Sequence, residues 1–299
     1  MAEQWDDKFD YLNATRGLYH NQDYWRFLVR DVWRLDTRPS RLIDFGCGFG
    51  WVGLFLMPML AEGSEYTGLD LAAPLLEKAR ALFDKLPYRA NFIGSDANRA
   101  PFNDGEFDVA FAHTLLMHLP EPRKALAEMI RVTRDGGLVI VCEANRNATN
   151  AALHVHESDE QDQTPLSALQ AMNAHIRRQS GIDYNIGMKM PVLMHQAGLR
   201  DVQARVSDAI RVSFPPIDTP EKGRLLKAIC DDGLGGYPAD EESFAKTAAW
   251  LTSRGMTKKD AENELRREMK NDYRRTARDY HIVQPGLITI SFGIVNRKK

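Results

Sequence analysis

Asp44, Gly46, Gly48 and Gly50, in the stretch DFGCGFGWVG (44–53), give a D-x-G-x-G-x-G spacing, while Gly48, Gly50 and Gly53 satisfy G-x-G-x-x-G. Glycines at a strand-to-helix turn let the backbone approach a ligand closely, because no Cβ intervenes and positive φ is tolerated. The second pattern belongs to dinucleotide sites, where a helix N-terminus faces a pyrophosphate. The first suits a nucleoside ligand that carries no phosphate. The loop alone leaves both readings open, and carboxylates elsewhere bear on the choice. Asp70 closes the segment EYTGLD, where it could accept both hydroxyls of a ribose in either ligand. Asp96 closes the next strand-like segment in GSDANRAPF, where it could accept from an exocyclic adenine amine beside the backbone N–H of Ala97.

These residues need elements to hold them. RLIDF runs straight into the glycines as a short buried strand would. Beyond it, helix-like WVGLFLMPMLAEG, strand-like EYTGLD, helix-like APLLEKARALFDKL, strand-like ANFIGS, turn-rich DANRAPFNDGE, strand-like FDVAFA, helix-like PRKALAEMIRVT and strand-like GLVIVCE follow in order. Such alternation implies a parallel sheet covered on both faces, with ligands at the carboxyl ends of the strands. Before it, Trp25, Leu28, Val29, Val32 and Trp33 recur at the spacing of an amphipathic helix packed on the sheet. After Glu143 the pattern loosens. PLSALQAMNAHIRRQ and MPVLMHQAGL read as helices, VQARVSDAIRVSF as one strand, residues 220 to 281 as helical, and ITISFGIVN as a last strand.

Bulk properties narrow the function classes. The 299 residues carry 39 basic and 41 acidic side chains, a net charge of -2, with 43% hydrophobic and 27% charged residues. That is ordinary for a globular enzyme and gives no polyanion footprint, so no nucleic-acid partner is expected. The three cysteines, Cys47, Cys142 and Cys230, lack ligand spacing and point to a reducing compartment. The amino terminus does not look like a secretory signal, and the longest apolar run, around Trp51 to Ala61, is too short to span a bilayer. The expectation is a cytoplasmic protein with no membrane partner.

Between the two ligand readings, Asp96 favours S-adenosylmethionine, which needs acceptors for its ammonium and ribose hydroxyls and has no phosphate. Five segments carry a resemblance in the same direction: LIDFGCGFG, YTGLD, GSDANRAPF, FDVAFAHTLLMHLP and RVTRDGGLVIVCE, in order between residues 41 and 143. They resemble the class I S-adenosylmethionine-dependent methyltransferases, especially the ubiquinone-methyltransferase-like group. The resemblance implies a doubly wound, Rossmann-like α/β fold whose seven-stranded, mostly parallel sheet ends in an antiparallel strand. It implies that Asp44, Gly46, Gly48 and Gly50 hold the methionine end, Asp70 the ribose, Leu71 a face of adenine, and Asp96 with Ala97 its polar edge. His113 would lie beside the sulfonium.

Transfer of a methyl group from a sulfonium needs an in-line nucleophile, and a base only where the acceptor must lose a proton. His113 and Glu143, each at a strand end, are the candidate catalytic residues, and His118 reads as a packing residue. No [DN]-P-P-[YF] motif follows the fourth strand, no paired-glutamate signature of protein arginine methyltransferases is present, and no metal ligand set stands out. Although Asp44-Phe45-Gly46 spells a kinase tripeptide, no V-A-I-K lysine or H-R-D loop accompanies it.

The expected architecture is a helical lid over residues 1–38, a cofactor-binding core over 39–214 and 286–299, and a helical insertion over 215–285 that shapes the acceptor pocket. Within the lid, the aromatics Trp5, Phe9, Tyr11, Tyr19 and Tyr24 could lie over the cofactor, and Tyr11 to His20 are expected to move. The expected activity is methyl transfer from S-adenosyl-L-methionine, leaving S-adenosyl-L-homocysteine, to a nitrogen or oxygen of a small-molecule metabolite. The alternatives are a methyltransferase of protein or RNA, and a nonenzymatic S-adenosylmethionine-binding module.

Overall fold

A computed structural model describes residues 8–156, 166–231, 241–253, 255–276 and 279–297. Trp5 lies outside the described residues. In chain order the strands are β1 (Arg41–Phe45), β2 (Glu65–Asp70), β3 (Arg89–Gly94), β4 (Phe107–His113), β5 (Thr133–Ala144), β6 (His154–Val155), β7 (Arg200–Val206), β8 (Ile210–Ser213), β9 (Ile282–Pro285) and β10 (Ile288–Ile294). The helices are α1 (Phe9–Thr15), α2 (Gln22–Phe27), α3 (Trp51–Leu56), α4 (Ala73–Phe83), α5 (Pro122–Val132), α6 (Arg146–Ala152), α7 (Leu166–Ser180), α8 (Met190–Gln196), α9 (Pro220–Asp231), α10 (Glu241–Ser253) and α11 (Lys258–Thr276).

Seven strands form the main sheet in the order β3-β2-β1-β4-β5-β10-β7, with β10 antiparallel to both of its neighbours. The expected sheet, with its antiparallel last strand, is therefore present. Its central strands are largely apolar, as strands covered on both faces should be: Leu42, Ile43, Phe45, Val109 to Ala112 and Val139 to Cys142 are all buried. Strand order reverses between β1 and β4, which opens a crevice at their carboxyl ends. Register places Asp44 opposite Gly68 and Phe111, and His113 opposite Cys142. The chemistry-bearing ends of β1, β2, β4 and β5 thus share one edge.

The amphipathic segment before the core behaves as its spacing predicts. Trp25, Leu28, Val29 and Trp33 are buried. After α2 the helix widens into a π turn over Leu28–Val32, so that Trp33 N donates to Leu28 O at 2.8 Å.

Two expectations need correction. VQARVSDAIRVSF is two strands, because Ser207 turns the chain out of the main sheet: its amide donates to Ile288 O at 2.8 Å and its hydroxyl to Tyr19 O. The second piece, β8, joins a three-stranded sheet of order β6-β9-β8. That sheet pairs β8, placed in the expected core, with β9, placed in the expected insertion, so the boundaries at 214/215 and 285/286 cut through one hydrogen-bonded unit.

The segment from Tyr11 to His20 is also more firmly held than its weak apolar period implied. Leu12, Thr15, Leu18, Tyr19 and His20 are buried. Arg211 donates to Asn21 Oδ1 at 2.6 Å and to the carbonyls of Gly17 and His20 at 2.8 Å each. Helix α1 packs against α9, so the amino-terminal segment and the segment after β8 meet beside the crevice.

Candidate cofactor site

The glycine loop is built by its conformation. Gly46, Gly48 and Gly50 have φ of +68°, +53° and +81°. A Cβ on Gly46 would stand 2.7 Å from Leu115 Cδ1, and one on Gly50 would stand 2.8 Å from Phe83 Cε2. Both positions therefore require glycine for conformation and for space. The loop is tied to the end of β2, with Gly46 N and Cys47 N donating to Leu69 O at 2.7 and 3.1 Å. Gly48 N donates to Asp70 Oδ2 at 2.7 Å, and Ala72 N to Asp70 Oδ1 at 2.9 Å.

Beside this loop lies a cleft of about 950 Å³, counting space open to solvent. Gly46, Gly48, Asp70, Leu71, Asp96 and Ala97 all line it, as do Leu12 and Arg16 of the amino-terminal segment. Leu71 presents an exposed apolar face, while Ala97 is buried. Asp96 Oδ1 accepts from the amide and side chain of Asn98 at 2.9 and 3.0 Å. The six sequence-identified residues on this wall form one continuous surface. Asp44, Gly50, His113 and Glu143 lie outside it.

Asp44 is fully buried under the loop and accepts from Tyr66 Oη at 2.7 Å through Oδ2, leaving Oδ1 with no partner. Burial pushes its carboxyl up to about 7. An orphaned acceptor under a cradle of glycines fits a ligand with an ammonium group, and the loop amides of Gly46, Cys47 and Gly48 that a pyrophosphate would need are already engaged by Leu69 O and Asp70 Oδ2. The residues present thus suit the amino-acid end of S-adenosylmethionine.

Glu143 does a different task from the one expected of it. Its Oε1 accepts from Leu115 N at 2.9 Å and Leu116 N at 2.7 Å, and Oε2 from Met117 N at 3.3 Å. It is fully buried, which raises its carboxyl to about 8 against the pull of those three amides. Both of its oxygens face these amides, and Glu143 is not among the residues that line the cleft. It holds the turn that carries Leu115 and His118 onto the cleft wall.

His113 is likewise buried, 2.6 Å from His20 Nε2 through its own Nε2 and 3.0 Å from Arg16 Nη1 through Nδ1. Burial and the Arg16 charge hold it well below the usual imidazole range. His118, read as packing, is the imidazole that lines the cleft. Burial lowers it to about 4, so it is neutral at pH 7.

Three wall residues escaped the sequence reading. Arg16 donates to Thr114 Oγ1 at 2.5 Å across 98 residues of chain, a relationship no local pattern carries. Thr114 directly follows β4, and that position after a strand end was the available signal. Leu12 belonged to a segment expected to be mobile. Among the described residues, no group of three or more His, Cys, Asp or Glu could hold a metal ion, and no helix is long and apolar enough to cross a membrane.

Comparison with known proteins agrees with this geometry. Residues 43–141 match the family described as a methyltransferase domain. Demethylmenaquinone methyltransferase of Thermus thermophilus is 34% identical over 137 residues, covering 46% of this chain and 60% of that protein. The chloroplastic tocopherol O-methyltransferase of Arabidopsis thaliana is 30% identical over 129 residues, 42% of this chain and 36% of that protein. The chain spans about half the length of the curated relatives it matches. Among solved structures, a Haemonchus contortus phosphoethanolamine N-methyltransferase crystallised with S-adenosylhomocysteine superposes with a TM-score of 0.51 at 14% identity, over 99% of this chain and 61% of that one. The [4+2]-cyclase SpnF superposes with a TM-score of 0.50 at 18% identity, over 99% and 96%. These likenesses show the fold, which by itself does not set the reaction. The glycine loop, the acids of the cleft and the match over residues 43–141 together support a class I S-adenosylmethionine-dependent methyltransferase domain similar to those of the demethylmenaquinone methyltransferases.

Proposed function

We propose that the protein transfers a methyl group from S-adenosylmethionine to a nitrogen or oxygen of a small-molecule metabolite. The observation that carries this reading is the single cleft wall on which Gly46, Gly48, Asp70, Leu71, Asp96 and Ala97 meet His118 and Arg16. Asp70 would accept the ribose hydroxyls, Leu71 would cover adenine, and Asp96 with Ala97 N–H would bind its polar edge. Gly46, Gly48 and the buried Asp44 would hold the methionine end, with Gly50 fixing the loop. The sulfonium supplies an electrophilic methyl group. The protein aligns the acceptor, and alignment alone accounts for much of such an acceleration. His118, which lines the cleft, would accept a proton where the acceptor must lose one.

Enclosure favours a metabolite over a folded macromolecule. Leu12 and Arg16 of the amino-terminal segment and Leu119 and Pro120 from the turn after β4 line the cleft together with the glycine loop. The relatives named for demethylmenaquinone and tocopherol point to the same class of acceptor. A methyl-labelled transfer screen against fractionated cell extract tests the proposal. Label in small-molecule fractions supports it. Label confined to protein or RNA, or no label despite bound cofactor, contradicts it.

A further inference from the structure

A second cleft opens at the other pole of the main sheet, where β1, β4, β5 and β7 begin and β10 ends. Its space is about 720 Å³, counting the part open to solvent, and it shares no lining residue with the cofactor cleft. Trp33, Leu35, Leu138 and Phe292, all buried, give the lining an apolar part. Arg34, Arg38 and Arg134 give it a basic part, beside Asp108 and Asp201.

These charges are unevenly matched. Arg134 Nε donates to Asp108 Oδ1 at 2.6 Å, and Asp108 Oδ2 accepts from Arg41 N at 2.9 Å, so that carboxylate is engaged on both oxygens. Asp201 Oδ2 lies 3.5 Å from Arg200 Nη1. Arg34 and Arg38 are exposed and have no ion pair among the described residues, and Arg38 acts on Asp108 only at longer range. A third donor joins them. Trp33 Nε1 is buried with no hydrogen-bond partner among the described residues, and an indole nitrogen can only donate. A buried donor left unpaired is unfavourable, so this lining lacks an acceptor.

The backbone singles out the same place. Arg34 has φ of +54° directly after the helical turn that ends at Trp33, and Leu35 N donates back to Val29 O at 2.9 Å. A left-handed helix stop is where glycine is usual, because a Cβ is disfavoured there. Among the described residues three other than glycine have positive φ: Thr114 lines the cofactor cleft, while Arg34 and Asp201 line this one. Such strain gathers at ligand clamps.

We propose that this cleft is a second binding site, for an organic monoanion whose apolar body lies on Trp33, Leu35, Leu138 and Phe292 and whose acid group meets Arg34 and Arg38. Guanidinium groups favour carboxylates and related oxyanions. Three arginines against two aspartates leave one positive charge, which a monoanion balances, whereas a multiply charged phosphate would be repelled by Asp108 and Asp201. An aromatic or aliphatic acid is the class that fits. Because the two clefts share no residue, the site stands whether or not S-adenosylmethionine is the cofactor.

Titration calorimetry of the full chain with 2-naphthoate and with 2-naphthamide, its uncharged counterpart, tests the proposal. The naphthoate is expected to bind at one site, at least about 10-fold tighter than the amide. Saturating S-adenosylhomocysteine should leave that affinity within about twofold, as separate sites require. Arg34→Gly should weaken naphthoate binding by about 10-fold without lowering the thermal midpoint, since glycine suits the left-handed stop. Arg38→Gln should weaken it similarly, and it alone decides if Arg34→Gly lowers the midpoint. No binding of naphthoate, equal affinity for the amide, displacement by S-adenosylhomocysteine, or full binding retained by both variants overturns the inference.

Discussion

His20 Nε2 lies 2.6 Å from His113 Nε2, and Trp25 on the far side of His20 decides which of the two nitrogens holds the proton. Nitrogen-15 NMR of labelled histidines should show His113 neutral and protonated at Nδ1 at pH 7. In Trp25→Phe the His20 ring loses its fixed donor, and the His113 signal is expected to shift toward a mixture of tautomers. An unchanged tautomer in the folded variant would disprove the relay.

Glu143 links burial to pH. Its carboxyl is raised from the ordinary value of 4.5 to about 8, so between those values the folded protein holds a proton that the unfolded chain has released. This contribution to stability is complete below the unfolded value and is lost as pH rises through the folded one, with a slope of at most about 1.4 kcal/mol per pH unit. Denaturation midpoints of wild type and Glu143→Gln from pH 5 to 8 should therefore diverge, the wild type losing stability relative to the variant as pH rises. Parallel curves would show that the carboxylate stays ionised on its three amides.

Asp70 and Asp96 should not be equivalent. Asp70 is half-buried and ties Gly48 N and Ala72 N, so Asp70→Ala removes a ligand acceptor and loosens the glycine loop together. Asp96 is exposed, and among the described residues its side chain accepts hydrogen bonds from Asn98 alone. The expected cost in S-adenosylhomocysteine affinity is about 1 to 3 kcal/mol for Asp70→Ala and less for Asp96→Ala. Calorimetry showing the reverse order would misplace the ribose.

For His118 the expectation is a split between binding and turnover. His118→Ala should leave cofactor affinity within about twofold. Single-turnover label transfer to a protonated acceptor should fall by about 100-fold, the lower end of what a positioned base contributes. Equal losses in both would make His118 a packing residue after all.

How much the sequence disclosed follows from the range of the interactions. The core strands were legible because strands covered on both faces are mainly apolar, as the runs Leu42–Ile43 and Val109 to Ala112 are. The glycine loop was legible because Gly46 and Gly50 adopt a backbone few other residues tolerate. Strand β8 was misjoined to β7 because the break depends on Ser207 meeting Tyr19, 188 residues away. Arg16 was missed for the same reason, since its partners His113 and Thr114 lie 97 and 98 residues on. His113 and Glu143 were rightly placed at strand ends, but the ends of strands do not reveal which side chains turn into the cleft and which brace the wall behind it.

The most direct measurement is titration calorimetry of the purified protein with S-adenosylhomocysteine and, separately, with NAD. Asp44 under the glycines and Asp70 and Asp96 around the cleft require that the sulfur nucleoside binds with one-to-one stoichiometry and that NAD gives no saturable heat. Saturable binding of NAD, with no response to S-adenosylhomocysteine, would contradict the assignment of this cleft.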